Sequence, residues 1–288
     1  MRDPRSGRVP KGALIVRRVY EEVWQFEYPR LDDEAYDELH EAIDLWEMGE
    51  LAEAERRYRR LIEVYPEFID AYHHLALAVS DQGREDEAFE LWQEAVELGL
   101  GCLPGDFERG RHQLPWGILE NRPFLRAYHA LGLGYLGRGE VEKALGIFEG
   151  ILTMNPGDNQ GVRALVVDCN LRLKRPEAVI ELADRYPGDA MEGVVYGRVL
   201  ALYQLGRRRE AEEALEGAIR MYPLIAEELL KTDHPQPEGL RRGWVTMGGA
   251  DQAYYYWMEQ GEYWEETPGA LDLVRRCLAR RGRSGQVA

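Results

Sequence analysis

The chain has 288 residues, of which 31% are charged and 45% hydrophobic, a composition typical of a folded globular protein. Its net charge of −16 is concentrated in residues 31–100, which carry 21 acidic and five basic side chains. A field of this sign repels polyanions, so we expect no binding to nucleic acid or to anionic membranes. Apolar runs are far shorter than the roughly 20 residues that span a bilayer.

The acidity of residues 31–100 has two interpretations. It can be a solvated face that aids solubility, or a docking surface for a basic partner. Residues 1–30 instead carry seven basic and four acidic side chains. We predict a disordered basic arm over 1–14, since it lacks periodicity and the apolar core of a signal peptide. Residues 15–30 are predicted to form a short helix or strand that caps the first repeat.

The cysteines are three in number and far apart, at Cys102, Cys169 and Cys277. An odd number without close pairs argues against a disulfide framework and favours a reducing compartment. We therefore expect a cytoplasmic location.

A pattern of small, bulky and proline residues recurs along the chain. A glycine is followed by alanine five residues later and by Tyr, Trp, Phe or Leu nine residues later. In three of four copies a proline comes seventeen residues after the glycine. The copies begin at Gly49, Gly83, Gly139 and Gly206, and the first two glycines are 34 residues apart. Repeats of this period are typical of stacked helix pairs.

Each position of the pattern has a physical role. The glycine suits a tight turn between two helices, and the alanine suits the point where those helices cross. The bulky residue fills the gap to the next pair, and the proline ends the helix before it. Residues 71–98 and 127–156 resemble the tetratricopeptide repeat (TPR). Weaker copies lie at 159–187, where the glycine is missing and Ala178 is kept, at 190–223, and after Gly248.

The resemblance implies an all-α fold, a right-handed α-solenoid of about six helix pairs. We predict an acidic repeat pair over 31–100, an insertion over 101–122 and TPR-like repeats over 123–265. Residues 266–288 are predicted to form a capping helix with a basic tail, since the last pair of a solenoid exposes an apolar face.

The insertion separates Gly83 from Gly139 and contains Trp116 and Asn121. Long irregular loops inside compact folds are often functional. The segment is either a packing plug or a lid that contributes to a binding site. Residues 114–117, 120–126 and 155–163, with 263–264 and 267–271, are similar to bacterial TPR proteins of the suppressor-of-tumorigenicity type. That family implies a helical scaffold without enzymatic activity.

No pattern of catalytic, cofactor or metal-binding residues is found. The GxGxxG match at 132–137 lies within a predicted first helix and follows no strand, so we interpret its glycines as close-packing positions. His73, His74 and His129 occupy similar places on successive first helices, but adjacent histidines do not share a helix face. We expect no enzyme activity, cofactor or metal.

We predict that the first helices of the pairs line a groove that binds a protein or peptide. The sequence sets neither that partner nor the oligomeric state. Arg126 and Arg163 either pair with acids of adjacent helices or contact the ligand. The candidate groove residues are His73, His74, Arg126, His129, Gln160, Arg163, Asn170, Tyr196 and Tyr203. The leading function is a non-enzymatic interaction scaffold. The alternatives are a structural subunit of a larger assembly, and a small-ligand sensor or enzyme with 101–122 as lid.

Overall fold

The computed structural model describes residues 9–240 and 243–284. The chain divides into two compact units, Met1–Val162 and Arg163–Ala288. Within the described residues the regular elements are helices and one antiparallel two-stranded hairpin, so the fold is all-α as predicted.

The first unit begins with the strands β1 (Ile15–Arg18) and β2 (Trp24–Glu27), with Val16 opposite Phe26. Three antiparallel helix pairs follow. They are α1 (Asp33–Glu47) with α2 (Leu51–Val64), α3 (Ile69–Ser80) with α4 (Glu85–Gly101), and α5 (Arg122–Gly137) with α6 (Val141–Met154).

The second unit contains seven described helices. The first four form two regular pairs, and the last three close the unit. They are α7 (Val162–Arg172) with α8 (Pro176–Arg185), α9 (Glu192–Gln204) with α10 (Arg208–Met221), then α11 (Pro223–Glu228), α12 (Ala250–Glu266) and α13 (Ala270–Ser284).

The turns inside the pairs share one geometry. Gly49, Gly83, Gly139 and Gly206 all have φ between 74° and 83°, the left-handed conformation that glycine adopts without strain. In each turn the next residue donates its backbone N–H to a carbonyl five residues back, as in Glu140 to Tyr135 at 2.9 Å. This is the Schellman arrangement that ends helices, and the recurring glycine is present because the arrangement requires it.

The fourth pair keeps this turn without a glycine. Lys174 has φ 54°, and Arg175 donates its N–H to the carbonyl of Asn170 at 2.9 Å. The turn therefore lies at Lys174, so the position five residues on is Val179, which is fully buried, and not Ala178, which is partly exposed. The alignment of residues 159–187 on Ala178 was wrong by one residue.

The glycines at 132–137 provide space for aromatic rings. A Cβ atom on Gly132 would lie 2.4 Å from a ring carbon of Phe148, and one on Gly134 would lie 2.7 Å from a ring carbon of Phe89. Both distances are shorter than packing permits. The match to GxGxxG thus reflects the approach of α5 to its neighbours.

A sixth regular pair is not formed. The second-helix pattern is kept, since Gly248 has φ 73° and Ala253 on α12 is buried. Its first helix is reduced to the six residues of α11, and an irregular segment leads from there to α12. The described residues thus contain five regular pairs and a reduced sixth, α11 with α12, in agreement with the prediction of about six. The helix α13 packs on α10, where Arg281 donates to the carbonyl of Ile219 at 2.7 Å.

The N-terminal hairpin packs differently from the expected cap on the first repeat. Val23 pairs with Gln113, and Trp24 donates its N–H to the Gln113 carbonyl at 2.9 Å. Residues 15–27 therefore hold the 101–122 segment. Of the predicted disordered arm 1–14, residues 1–8 lie outside the described part of the chain, and Ala13 and Leu14 are buried.

Candidate protein-binding face

The first helices of the first unit present equivalent residues in rows. Helical residues spaced by four, three and four positions lie on one face. These stripes on α1, α3 and α5 together form what we call the first-helix face. Its members are Tyr36, His40, Ile43 and Glu47 on α1, Asp70, His74 and Leu77 on α3 with Asp81 at its C-cap, and Arg126, Ala130, Leu133 and Gly137 on α5.

An ion pair joins two of these helices at one end of the face. The Arg126 guanidinium contacts both carboxylate oxygens of Asp70 at 2.7 Å. The Asp70 side chain is mostly buried, and Arg126 Nε is buried without a hydrogen-bond partner in the described structure. Burial and then the Asp70 carboxylate raise the pKa of Tyr36, which occupies the equivalent position on α1. For Arg126 the interpretation as a pair with an acid of the adjacent helix therefore describes the structure.

Three imidazoles lie beside this pair. His73 and His74 are in ring contact at 5.4 Å, and His129 lies edge-on to Phe148 at 6.1 Å. Burial lowers the pKa of each, and the neighbouring His74 and Arg126 lower that of His73 further. The rings are therefore neutral at pH 7, and each retains a buried nitrogen without a partner in the described structure.

Below the histidines runs an apolar row of Ile43, Leu77 and Leu133. Leu77 and Leu133 line an open groove of about 550 Å³ together with Ala130 and the Trp92 side chain. Leu133 is 44% exposed, whereas the indole nitrogen of Trp92 is buried and has no hydrogen-bond acceptor within the described residues. The first-helix face thus offers apolar surface at this groove.

An acidic edge borders the apolar row. It consists of Glu47, Asp81, Glu85 and Asp86, and the last two also line the groove. Arg138 extends over the Phe89 ring at 3.9 Å and contacts Asp86 at 2.6 Å. The helices α1 and α3 contain no lysine or arginine, because the five arginines of residues 31–100 lie on α2 and at Arg84. The acidic side chains of α1 and α3 therefore have no lysine or arginine on their own helices.

The remaining predicted residues of the first unit have internal partners. Gln160 donates to the Leu125 carbonyl at 3.1 Å. The Trp116 backbone N–H donates to Asn155 at 3.1 Å, and the Arg122 guanidinium lies 5.3 Å from the Trp116 ring. These contacts fix the segment beside the helices.

Asn121 is corrected from a ligand residue to a structural one. It is fully buried, accepts from the Phe26 N–H at 3.0 Å and donates to the carbonyls of Trp24 and Pro115. All its hydrogen-bonding groups are used inside the fold. With Leu114 also fully buried, the 101–122 segment has the contacts of the packing plug.

In the second unit, the candidates Arg163, Asn170, Tyr196 and Tyr203 also have internal partners. The Arg163 guanidinium pairs with Asp189 and lies over Tyr186 at 5.1 Å. Asn170 is buried and donates to the Val166 carbonyl at 2.8 Å.

The two tyrosines are core residues. Tyr196 is fully buried and donates to the Tyr222 carbonyl at 2.8 Å, while Tyr203 is nearly buried beneath the Arg208 guanidinium. The register prediction that aimed Asn170 and Tyr196 at a partner was wrong, because both side chains are buried, Asn170 on α7 and Tyr196 on α9.

Two kinds of feature are absent from residues 9–240 and 243–284. No group of three or more His, Cys, Asp or Glu side chains there is arranged to hold a metal ion. No helix in that part of the chain combines the length and apolarity needed to cross a membrane.

Helix pairs joined by Schellman turns, with alanine at the crossing and aromatic residues between pairs, define a protein of the TPR-like class. The family model described as Transcriptional repressor TCF25 matches residues 54–243. The chain belongs to this Tcf25 family. The matching family differs from the suppressor-of-tumorigenicity subgroup suggested by residues 114–271. None of the curated proteins matches the chain.

Several solved structures are similar in fold. The TPR protein YrrB, described as having an unusual peptide-binding site, is 17% identical with a TM-score of 0.47, over 66% of this chain and 87% of that one. A TPR protein from Parabacteroides merdae is 17% identical with a TM-score of 0.49, over 86% and 88%. Repeats of a putative kinesin light chain from Podosopora anserina are 16% identical with a TM-score of 0.46, over 65% and 94%.

Proposed function

We propose that the chain is a non-enzymatic scaffold that holds a segment of a protein partner on the first-helix face. The observation that carries this proposal is the exposed Leu133 above a groove of about 550 Å³, bordered by an acidic edge. An open groove lined by several apolar side chains and bordered by polar ones, as here by Leu77, Ala130 and Leu133, is typical of a binding surface.

The predicted groove residues have a supporting role in this proposal. Asp70 and Arg126 neutralise each other, and the buried imidazoles carry no charge at pH 7. We infer that His73, His74, Arg126, His129 and Gln160 shape the floor of the face, and that the apolar row provides the contact. A cytoplasmic location remains a prediction from cysteine usage.

The family description names a transcriptional repressor. We infer that any such role of this chain depends on contact with another protein and not with DNA. The net charge is −16, and the acidic side chains are concentrated on the unit that carries the face. Like charge opposes approach to the phosphate backbone.

The test compares the proteins captured by two variants of matched exposure. Leu133→Glu changes the apolar row, and Val64→Glu changes a residue of 49% exposure on α2. We expect quantitative affinity purification to lose a defined protein with Leu133→Glu and to retain it with Val64→Glu and wild type. Purified components should then reproduce that difference in direct binding. Equal capture by both variants would refute the proposal.

One observation favours a second function, that of a subunit in a larger assembly. Trp244 is 75% exposed and Met247 is 71% exposed, with Val245 between them. Three apolar side chains in one exposed segment form a candidate assembly contact. This function predicts that Trp244→Ser with Met247→Ser lowers the mass measured by light scattering after gel filtration. A wild-type chain that is monomeric at every concentration argues against it.

A further inference from the structure

We propose that the partner segment is extended, places an apolar side chain at every third residue on the apolar row, and carries lysine or arginine toward the acidic edge. This inference deepens the proposed function and rests on it. It identifies the occupant of the first-helix face by spacing and charge.

The spacing follows from the rows. Ile43, Leu77 and Leu133 occupy equivalent positions on α1, α3 and α5. Packed helices lie about 8–10 Å apart, so neighbouring contact points along the row are separated by about that distance. A polyproline II chain advances about 3.1 Å per residue with three residues per turn. Its side chains at every third residue therefore face one way and are about 9 Å apart, which matches the row.

The flat β conformation fits less well. Its side chains face one way at every second residue, with a repeat of about 6.6 Å. A chain of that kind can match one helix of the row but drifts off the next. The structure therefore favours a partner with the pattern apolar-x-x-apolar.

The charge follows from the edge. The residues next to the apolar row are acidic: Glu47, Asp81, Glu85 and Asp86. Among the described residues that line the groove, Arg138 is the one basic side chain. Asp86 already contacts Arg138, and Glu85 accepts a hydrogen bond from Ser80 at 3.0 Å. The net charge at this edge is negative, so a cationic side chain of the partner is attracted there and an acidic one is repelled.

The experiment uses the full chain and three fluorescent nine-residue peptides, measured by anisotropy. One repeats Pro-Leu-Lys three times, one repeats Pro-Leu-Glu, and one has the composition of the first with leucine at every second position. We expect the lysine peptide to bind at least tenfold more tightly than the glutamate peptide and at least threefold more tightly than the respaced one. Its affinity should fall as salt is raised from about 50 to 200 mM.

Variants separate a direct contact from a loss of folding. Leu133→Glu should weaken binding of the lysine peptide at least tenfold, and Val64→Glu should change its affinity less than twofold. Glu85→Lys should weaken binding of the lysine peptide and strengthen binding of the glutamate peptide. A variant that had merely unfolded would bind neither.

Three results would overturn the inference. They are equal binding of the lysine and glutamate peptides, equal binding of the two leucine spacings, and self-association that Leu133→Glu abolishes, which would make a second copy the occupant. If Leu133→Glu no longer captures the protein that the wild type captures, but the lysine peptide binds no more tightly than the other two peptides, this inference fails and the proposed function stands. If Leu133→Glu loses no captured protein, the proposed function fails first.

Discussion

Replacement of Gly132 by alanine should destabilise the first unit, although alanine is the better helix former. An added Cβ would lie 2.4 Å from one ring atom of Phe148 and 3.0 Å from two others. The Phe148 ring is fully buried and has no open space to move into. Overpacking of this kind costs about 1–3 kcal/mol, while alanine recovers at most about 1 kcal/mol of helix propensity. We expect a net loss of about 1–2 kcal/mol in the free energy of unfolding.

The control is the same substitution where the chain leaves room. Gly146 lies in the middle of α6, and a Cβ there would meet nothing within 4 Å. Gly146→Ala should therefore stabilise by about 0.5–1 kcal/mol. Urea unfolding followed by circular dichroism measures both changes. In a Phe148→Leu background the cost of Gly132→Ala should shrink, because the ring atoms are gone. If both alanine variants were equally stabilising, close packing would not explain the glycine.

Three further predictions concern a turn, an ion pair and a buried imidazole. Lys174→Gly should raise the free energy of unfolding by about 0.5 kcal/mol. Glycine removes the left-handed strain at this position, about 1 kcal/mol or more, and its own entropic cost is smaller. An unchanged urea midpoint would contradict this. Arg126→Met should lower the free energy of unfolding by about 2 kcal/mol, because it leaves the mostly buried Asp70 carboxylate without its partner. Arg138→Met should lower it by less than about 0.5 kcal/mol, because its partner Asp86 is exposed. Equal urea midpoints would disprove this contrast. The lowered pKa of His73 means that below about pH 6.5 the unfolded chain takes up a proton that the folded chain does not. The free energy of unfolding should therefore fall by up to about 1.4 kcal/mol per pH unit from this residue, and His73→Gln should flatten the fall between pH 7 and 5. Parallel profiles for His73→Gln and wild type would exclude the assignment.

The sequence predicts the regular part of the fold because its pattern is local. Glycine at the turn and alanine at the crossing are fixed by contacts within one helix pair, so they recur at constant offsets. The turn at Lys174 was missed because lysine there tolerates a conformation that glycine usually marks. The hairpin of residues 15–27 could not be predicted, since its partner Gln113 is distant in the sequence.

The candidate face shows the same division. The Asp70–Arg126 pair joins helices whose equivalent positions are 56 residues apart, and the insertion obscures that offset. The apolar row was present as a signal, because Ile43, Leu77 and Leu133 follow one another by 34 and then 56 residues. Polar residues were predicted as the contact because they are chemically distinctive. In the structure those polar groups are largely buried, whereas Leu133 is exposed and Ile43 and Leu77 are partly buried.

The hydrogen bond from Phe26 to Asn121 joins residues 95 positions apart. In a simple array of repeats each unit depends on its immediate neighbours, and folding can begin anywhere. Here the chain between the two residues includes two complete helix pairs, and closing it costs about 4 kcal/mol of entropy. A long-range closure of this size slows folding and makes it more cooperative. Removal of the N-terminal strands would therefore release the segment before α5, which is a larger effect than the loss of one repeat. We expect the first unit to gain or lose its structure as a whole.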